Sequence, residues 1–152
     1  MLGKMNLNIE GIKLTELKKF SDKKGEVLHF INKNSASFKN FAEVYFSKIK
    51  PGVIKGWKCH KLTTQNICVP NGEIKFVLYD NREFSNSYKH FDELILNNIE
   101  NYFLLTIPPN IWYSFKCVSK EQAILSNLID ITHDPNECLN LEIKNSTIPF
   151  TW

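Results

Sequence analysis

Arginine is almost missing from this sequence: Arg82 stands alone among 19 basic residues. The planar arginine fork is what usually reads guanine edges and clamps phosphates, so a duplex-binding role is disfavoured. A dominant charge of one sign is missing too. Nineteen basic against 16 acidic residues leave +3, too little to call for nucleic acid or a membrane surface as partner. Cysteine motifs are absent: Cys59, Cys68, Cys117 and Cys138 form no CxxC pair and suggest neither a zinc site nor a disulfide framework. No run approaches the ~18 apolar residues of a bilayer span, and the N-terminal MLGKMNLNIEGIKL has no signal-peptide core. A cytoplasmic protein with reduced thiols is expected. Heptads, repeats, low-complexity runs and linkers are wanting as well, which leaves 152 residues as one domain, 1–152.

What is present is core material and strand signals. A hydrophobic fraction of 43% with 12% aromatics excludes global disorder. Residues 26–31, 43–49, 73–80, 101–107, 111–117 and 122–129 combine β-branched and aromatic side chains. Over 73–80 the alternation puts Ile74, Phe76 and Leu78 on one face. Turn signals stand between these runs at 22–25, 51–52, 70–72, 80–81 and 108–110. Short strands so closely spaced predict an all-β sandwich or barrel. Residues 13–19 fit a helical turn or a strand equally well, and the aromatic tail 149–152 is expected to pack rather than fray.

The informative stretch runs from Pro51 to Gly72, PGVIKGWKCHKLTTQNICVPNG. It resembles the first motif of the cupin barrels, G-x5-H-x-H-x4-E-x6-G, and keeps its frame. Gly52 opens it, Lys58 takes the first His position, His60 the second, Gln65 replaces Glu, and Gly72 closes it. The second cupin motif resembles the segment with Pro108, Asn110 and Tyr113, where Tyr113 replaces a metal-binding His. Asn110 at the turn is sensible because asparagine tolerates a left-handed backbone. Of the four metal positions that the resemblance implies, only His60 remains. Lys58 would repel a divalent cation and Gln65 is a poor ligand, so no metal is expected.

Four further segments resemble the dTDP-4-dehydrorhamnose 3,5-epimerase family of cupins. They are FSDKKG (20–25), GVIKGW (52–57), NGEIKFVLYDNR (71–82) and IPPNIWYSF (107–115). The resemblance implies a jelly-roll cupin barrel, a homodimer, a dTDP-linked 4-keto sugar as ligand and a place in surface-polysaccharide biosynthesis. It also implies a catalytic His at the position of Lys58 and a catalytic Tyr at about Ser126, both substituted here. Lys24 and Lys55 stand at arginine positions of the family. A related group, the dTDP-sugar 3,4-ketoisomerases, carries G-F-H-x-H-K, whose second His matches His60 and whose Lys matches Lys61.

Epimerising or isomerising beside a ketone needs a base for an acidified C–H, a stabiliser for the enolate and an acid to return the proton. His60 is the expected base, since histidine titrates near working pH. Lys58, two residues away, shares its side of a strand. Facing a barrel interior, it would be desolvated and serve as base or as enolate stabiliser; a one-residue slip of register would turn it to solvent instead. Tyr113 and Tyr45 are the expected acids. Lys24, Lys55, Lys61, Gln65, Asn66, Arg82 and Trp112 are the expected substrate contacts, the cations for a diphosphate and Trp112 for stacking. No organic cofactor is expected. His29, His90 and His133 read as structural or surface residues. Two alternatives stand beside the epimerase: a 3,4-ketoisomerase on the same substrate class, and a catalytically silent sugar-nucleotide-binding cupin. The dimer is expected to use an early strand such as 26–31 to complete the partner's sheet.

Overall fold

The structure is a computed structural model and describes residues 6–152. Its strands are β1 (Lys13–Glu16), β2 (Lys19–Asp22), β3 (Gly25–Leu28) and β4 (Glu43–Ile49) in the first third. Then come β5 (Ile54–His60), β6 (Gln65–Asn71), β7 (Glu73–Asp80) and β8 (Phe91–Asn97). The rest holds β9 (Phe103–Ile107), β10 (Ile111–Cys117), β11 (Ala123–Ile129), a 3-10 turn at Pro135–Glu137 and β12 (Cys138–Asn140). One antiparallel sheet has the order β1-β9-β6-β11-β4, the other β12-β5-β10-β7-β8. The order interleaves distant segments, as the cupin jelly roll requires: β6 lies between β9 and β11, and β10 between β5 and β7.

Alternation explains which strands are legible. The limits of β4, β7 and β10 coincide with the predicted runs, and Ile74, Phe76 and Leu78 all enter the core between the sheets. Residues 13–19 are extended, because β1 pairs with the edge of β9 (Leu14 opposite Leu105) and β2 follows. β3 stops at Leu28 instead of reaching residue 31, and it pairs with β2. β6 and β8 lie where the pattern predicts no strand. Gln65 to Val69 in β6 are buried on both faces, so no polar period marks them. In β8 a charged residue, Asp92, stands on the buried phase with Leu94 and Leu96 and hides the apolar period; it is tolerated there because its carboxylate accepts the backbone N–H of Asn8 and Ile9 at 2.7 and 2.9 Å.

Two apolar clusters result. The first fills the space between the sheets, with Ile67 and Leu105 facing Phe76, Leu94 and Phe115. The second lies on the outer face of the second sheet, where Trp57, Trp112 and Ile148 pack with Phe150 and Trp152. The tail is therefore packed as expected: Trp152 donates its indole N–H to Ser114 Oγ at 2.9 Å, and Phe150 meets Trp57 edge-on. Complete burial of a large side chain such as Phe76 contributes about 1.5–3 kcal/mol. Asn110 has φ +66, the left-handed turn anticipated for it.

Candidate active site

The site is built where β5 and β10 fall out of step. Lys58 opposes Tyr113 but Gly56 opposes Ser114, so Trp57 is an extra residue bulged out of the ladder. A simple strand would place Lys55 and Lys58, three apart, on opposite faces. The bulge brings both to the interior, while Trp57 goes fully buried into the outer cluster. Gly56 alone permits this: its φ is +114, and a Cβ there would stand 2.7 Å from Ser114 Cβ.

Lys55 and Lys58 open onto a cavity of about 50 Å³ between the sheets. Its polar wall includes Tyr113 from β10 and, from the opposite sheet, Tyr45 of β4 and Asn127 of β11. Ile67, Phe115 and Leu125 form its apolar part. Lys58 lines this cavity yet remains exposed. The sequence left open whether Lys58 faces the interior or solvent; it lines the cavity and solvent reaches it, so burial is not the device that would activate it.

His60 ends β5 with only 8% exposure. Its Nδ1 pairs with the Glu137 carboxylate, and its Nε2 lies 3.2 Å from the Tyr113 hydroxyl. The two rings lie nearly parallel, with 17° between their planes. Glu137 arrives from 77 residues away. Asp134 caps the 3-10 turn that carries it, and β12 immediately afterwards pairs Cys138 with His60. Burial would raise the Glu137 carboxyl, but the hydrogen bonds with His60 and from Leu62 N–H outweigh it and lower the pKa to about 2. An ionised carboxylate only accepts. Nδ1 therefore carries a proton, and in the neutral ring Nε2 accepts from the Tyr113 hydroxyl. Burial, and then the neighbouring Tyr45, push the Tyr113 hydroxyl well above its ordinary range. Tyr45 is raised by burial too, with the hydrogen bond from Asn127 working against it.

The remaining expected residues divide. Gln65 is buried on the same face of β6 as Ile67; its Oε1 accepts from Asn127 Nδ2 at 2.6 Å, and among the described residues its Nε2 finds no partner. Lys61 is exposed just beyond β5, its backbone N–H bonded to the Glu137 carbonyl at 2.9 Å. The other expected positions do not line this cavity. Trp112 lies on the face of β10 opposite Tyr113, packed in the outer cluster. Asn66 is spent on structure, accepting from Thr106 Oγ1 at 2.8 Å and donating to the Ser37 carbonyl at 3.4 Å. Arg82 is clamped on Asp80 through Nε and Nη2, both at 2.8 Å, away from the cavity. Lys24 sits exposed in the β2–β3 turn. Ser126, the residue at the family's tyrosine position, alternates away from Leu125 and Asn127 and pairs with Cys68 on the far face of β11.

Sequence reasoning missed Glu137 and Asn127. Neither belongs to a motif spaced around His60, and only the sheet order brings them in. Among the described residues, no three His, Cys, Asp or Glu side chains gather as metal ligands, and no helix is long and apolar enough to cross a membrane.

Comparison with known proteins bears on the family and the fold. The family model described as dTDP-4-dehydrorhamnose 3,5-epimerase matches residues 6–152. The spore coat polysaccharide biosynthesis protein SpsL of Bacillus subtilis (strain 168) is 26% identical over 146 residues, 95% of this chain and 96% of that protein. A dTDP sugar isomerase from Desulfovibrio desulfuricans G20 has a TM-score of 0.94 at 39% identity, over 97% of this chain and 94% of its own. The dTDP-4-dehydrorhamnose 3,5-epimerase of Bacillus anthracis str. Ames, solved with TDP and PPi bound, has a TM-score of 0.83 over 97% and 88% of the two chains. At 22% identity that last likeness is one of fold. On the match across residues 6–152, the chain belongs to the dTDP-4-dehydrorhamnose 3,5-epimerase family.

Proposed function

We propose that this protein epimerises a dTDP-linked 4-keto sugar during the biosynthesis of a surface polysaccharide, by proton transfer beside the ketone. The supporting observation is the Glu137–His60–Tyr113 chain, which reaches the wall of a cavity lined by two lysines. Tyr113 stands between the ring and the cavity. The substrate C–H proton passes to the Tyr113 oxygen as the Tyr113 proton passes to His60 Nε2. Burial disfavours a free phenolate, so the two transfers are coupled. His60 is thus the base, and Glu137 stabilises the imidazolium that forms. The ammonium of Lys58 faces the enolate oxygen, and Lys55 and Lys61 meet the diphosphate. This proton chemistry calls for neither metal nor organic cofactor.

The working unit is a homodimer. β2 and β3 join neither five-stranded sheet, and they leave Phe20 and Val27 58% and 61% exposed, a hairpin suited to extending a second copy's sheet. A monomer by light scattering at micromolar concentration overturns this part.

The test of the activity is incubation with dTDP-linked 4-keto sugars in deuterated buffer. Deuterium washed in at carbons 3 and 5 is the expected result. Deuterium at carbon 3 with a shifted ketone, or no exchange with any sugar nucleotide, overturns the reading.

A further inference from the structure

We propose that Tyr45 is the acid that returns the proton to the opposite face of the enolate, and that Asn127 is the positioning residue that aims it. This rests on the proposed epimerisation. The argument is one of hydrogen-bond direction. The backbone N–H of Asn66 can only donate, and it meets Asn127 Oδ1 at 3.1 Å. Asn127 Oδ1 is therefore the acceptor end of its amide, and Nδ2 the donor end. One Nδ2 proton goes to Gln65 Oε1 at 2.6 Å and the other to the Tyr45 oxygen at 2.7 Å. Every polar position of Asn127 is engaged, so its amide cannot reverse. The Tyr45 oxygen must accept, which leaves its own proton unspent on a residue that lines the cavity.

Tyr113 is in the opposite condition. Its hydroxyl is committed to His60 Nε2 at 3.2 Å, on the base side. The two tyrosines belong to opposite sheets, β4 and β10, and both line the cavity between them. Removal on one face and return on the other is what inversion requires. In the return step the Tyr45 O–H bond breaks and the enolate electron pair forms the new C–H bond; the phenolate left behind, unlike one at Tyr113, keeps the hydrogen bond from Asn127 Nδ2–H at 2.7 Å, which works against the effect of burial. Water then restores the Tyr45 proton and takes the one on His60.

The experiment compares the wild type with Asn127→Asp and Tyr45→Phe, on a dTDP-linked 4-keto-6-deoxyhexose in deuterated buffer. Asn127→Asp keeps the acceptor for the Asn66 N–H but presents the tyrosine with a second acceptor, which captures its proton. In both variants deuterium is expected to enter the unreacted starting sugar at near the wild-type rate, while inverted product forms roughly 10²-fold more slowly. A generally damaged pocket would lower both rates together, and that outcome overturns the assignment. So does inversion at the wild-type rate in Asn127→Asp; either way the epimerase reading stands on the wild-type exchange. A wild type that neither exchanges nor inverts removes that reading, and this inference with it.

Discussion

On the inner face of β10, Tyr113 meets a ring nitrogen at 3.2 Å and borders a cavity; one residue earlier, on the outer face, Trp112 packs in a cluster with Ile148 and Trp57. The inner wall depends on which atom donates and which accepts, from Glu137 through His60 to Tyr113, and from Gln65 through Asn127 to Tyr45. The outer wall depends on volume filled and area removed from water. Directional contacts fail when one atom changes, whereas packing fails in proportion to the space left. Function and stability should therefore separate across the thickness of a single sheet.

The sharpest break in that contrast is His60→Ala. Isotope exchange into the sugar should fall by about 10²–10⁴-fold, with dTDP affinity nearly unchanged in titration calorimetry. Persistent exchange would move the base from His60 to Lys58. On the other wall, Ile148→Ala should lower the unfolding free energy in urea by about 2–5 kcal/mol and leave exchange per folded molecule intact. A loss of exchange without loss of stability would show that the walls are not separable.

Glu137 links the two. Its carboxyl titrates at about 2 in the fold against an ordinary 4.5. A depressed carboxylate contributes stability that is present above the ordinary value and is lost as pH falls towards the folded one. Wild-type stability should therefore decline between about pH 4.5 and 2, and Glu137→Gln should flatten that decline in acid denaturation monitored by circular dichroism. An unchanged acid limb would remove Glu137 from the network. The smallest effect is expected from Lys55→Met: KM up by a few fold, kcat little changed, the pattern of a contact that binds ground and transition states alike.

The same contrast explains what the sequence discloses. Strands with one face on the core, such as β7, announce themselves by period, and the cupin frame drew attention to His60, which ends β5. Where both faces are buried, as in β6, or where a buried Asp92 breaks the phase, as in β8, the period disappears. Lys55 is a subtler case. Its position on the cavity depends on one bulged residue, and a bulge leaves no mark in the alternation beyond the glycine that permits it. Trp112 was misplaced for the converse reason: an aromatic beside a motif looks like a stacking surface until the strand's other face proves to be covered. Glu137 and Asn127 were beyond reach because their partners are set by sheet order rather than by spacing.

The separation of His60 from Glu137 also has a consequence in time. Proteins are made at about 5–20 residues per second, so the 77 residues between these two take roughly 4–15 s to synthesise. During that interval β5 already exists without its carboxylate and without β12 along its edge. A nascent chain halted before Asp134 would carry both lysines, Tyr45 and Tyr113, but would have an imidazole with nothing to fix its tautomer. On the proposed mechanism, such a half-made barrel would hold the cavity's cationic and phenolic side chains before its base is oriented, and proton transfer would begin only once β12 pairs with β5.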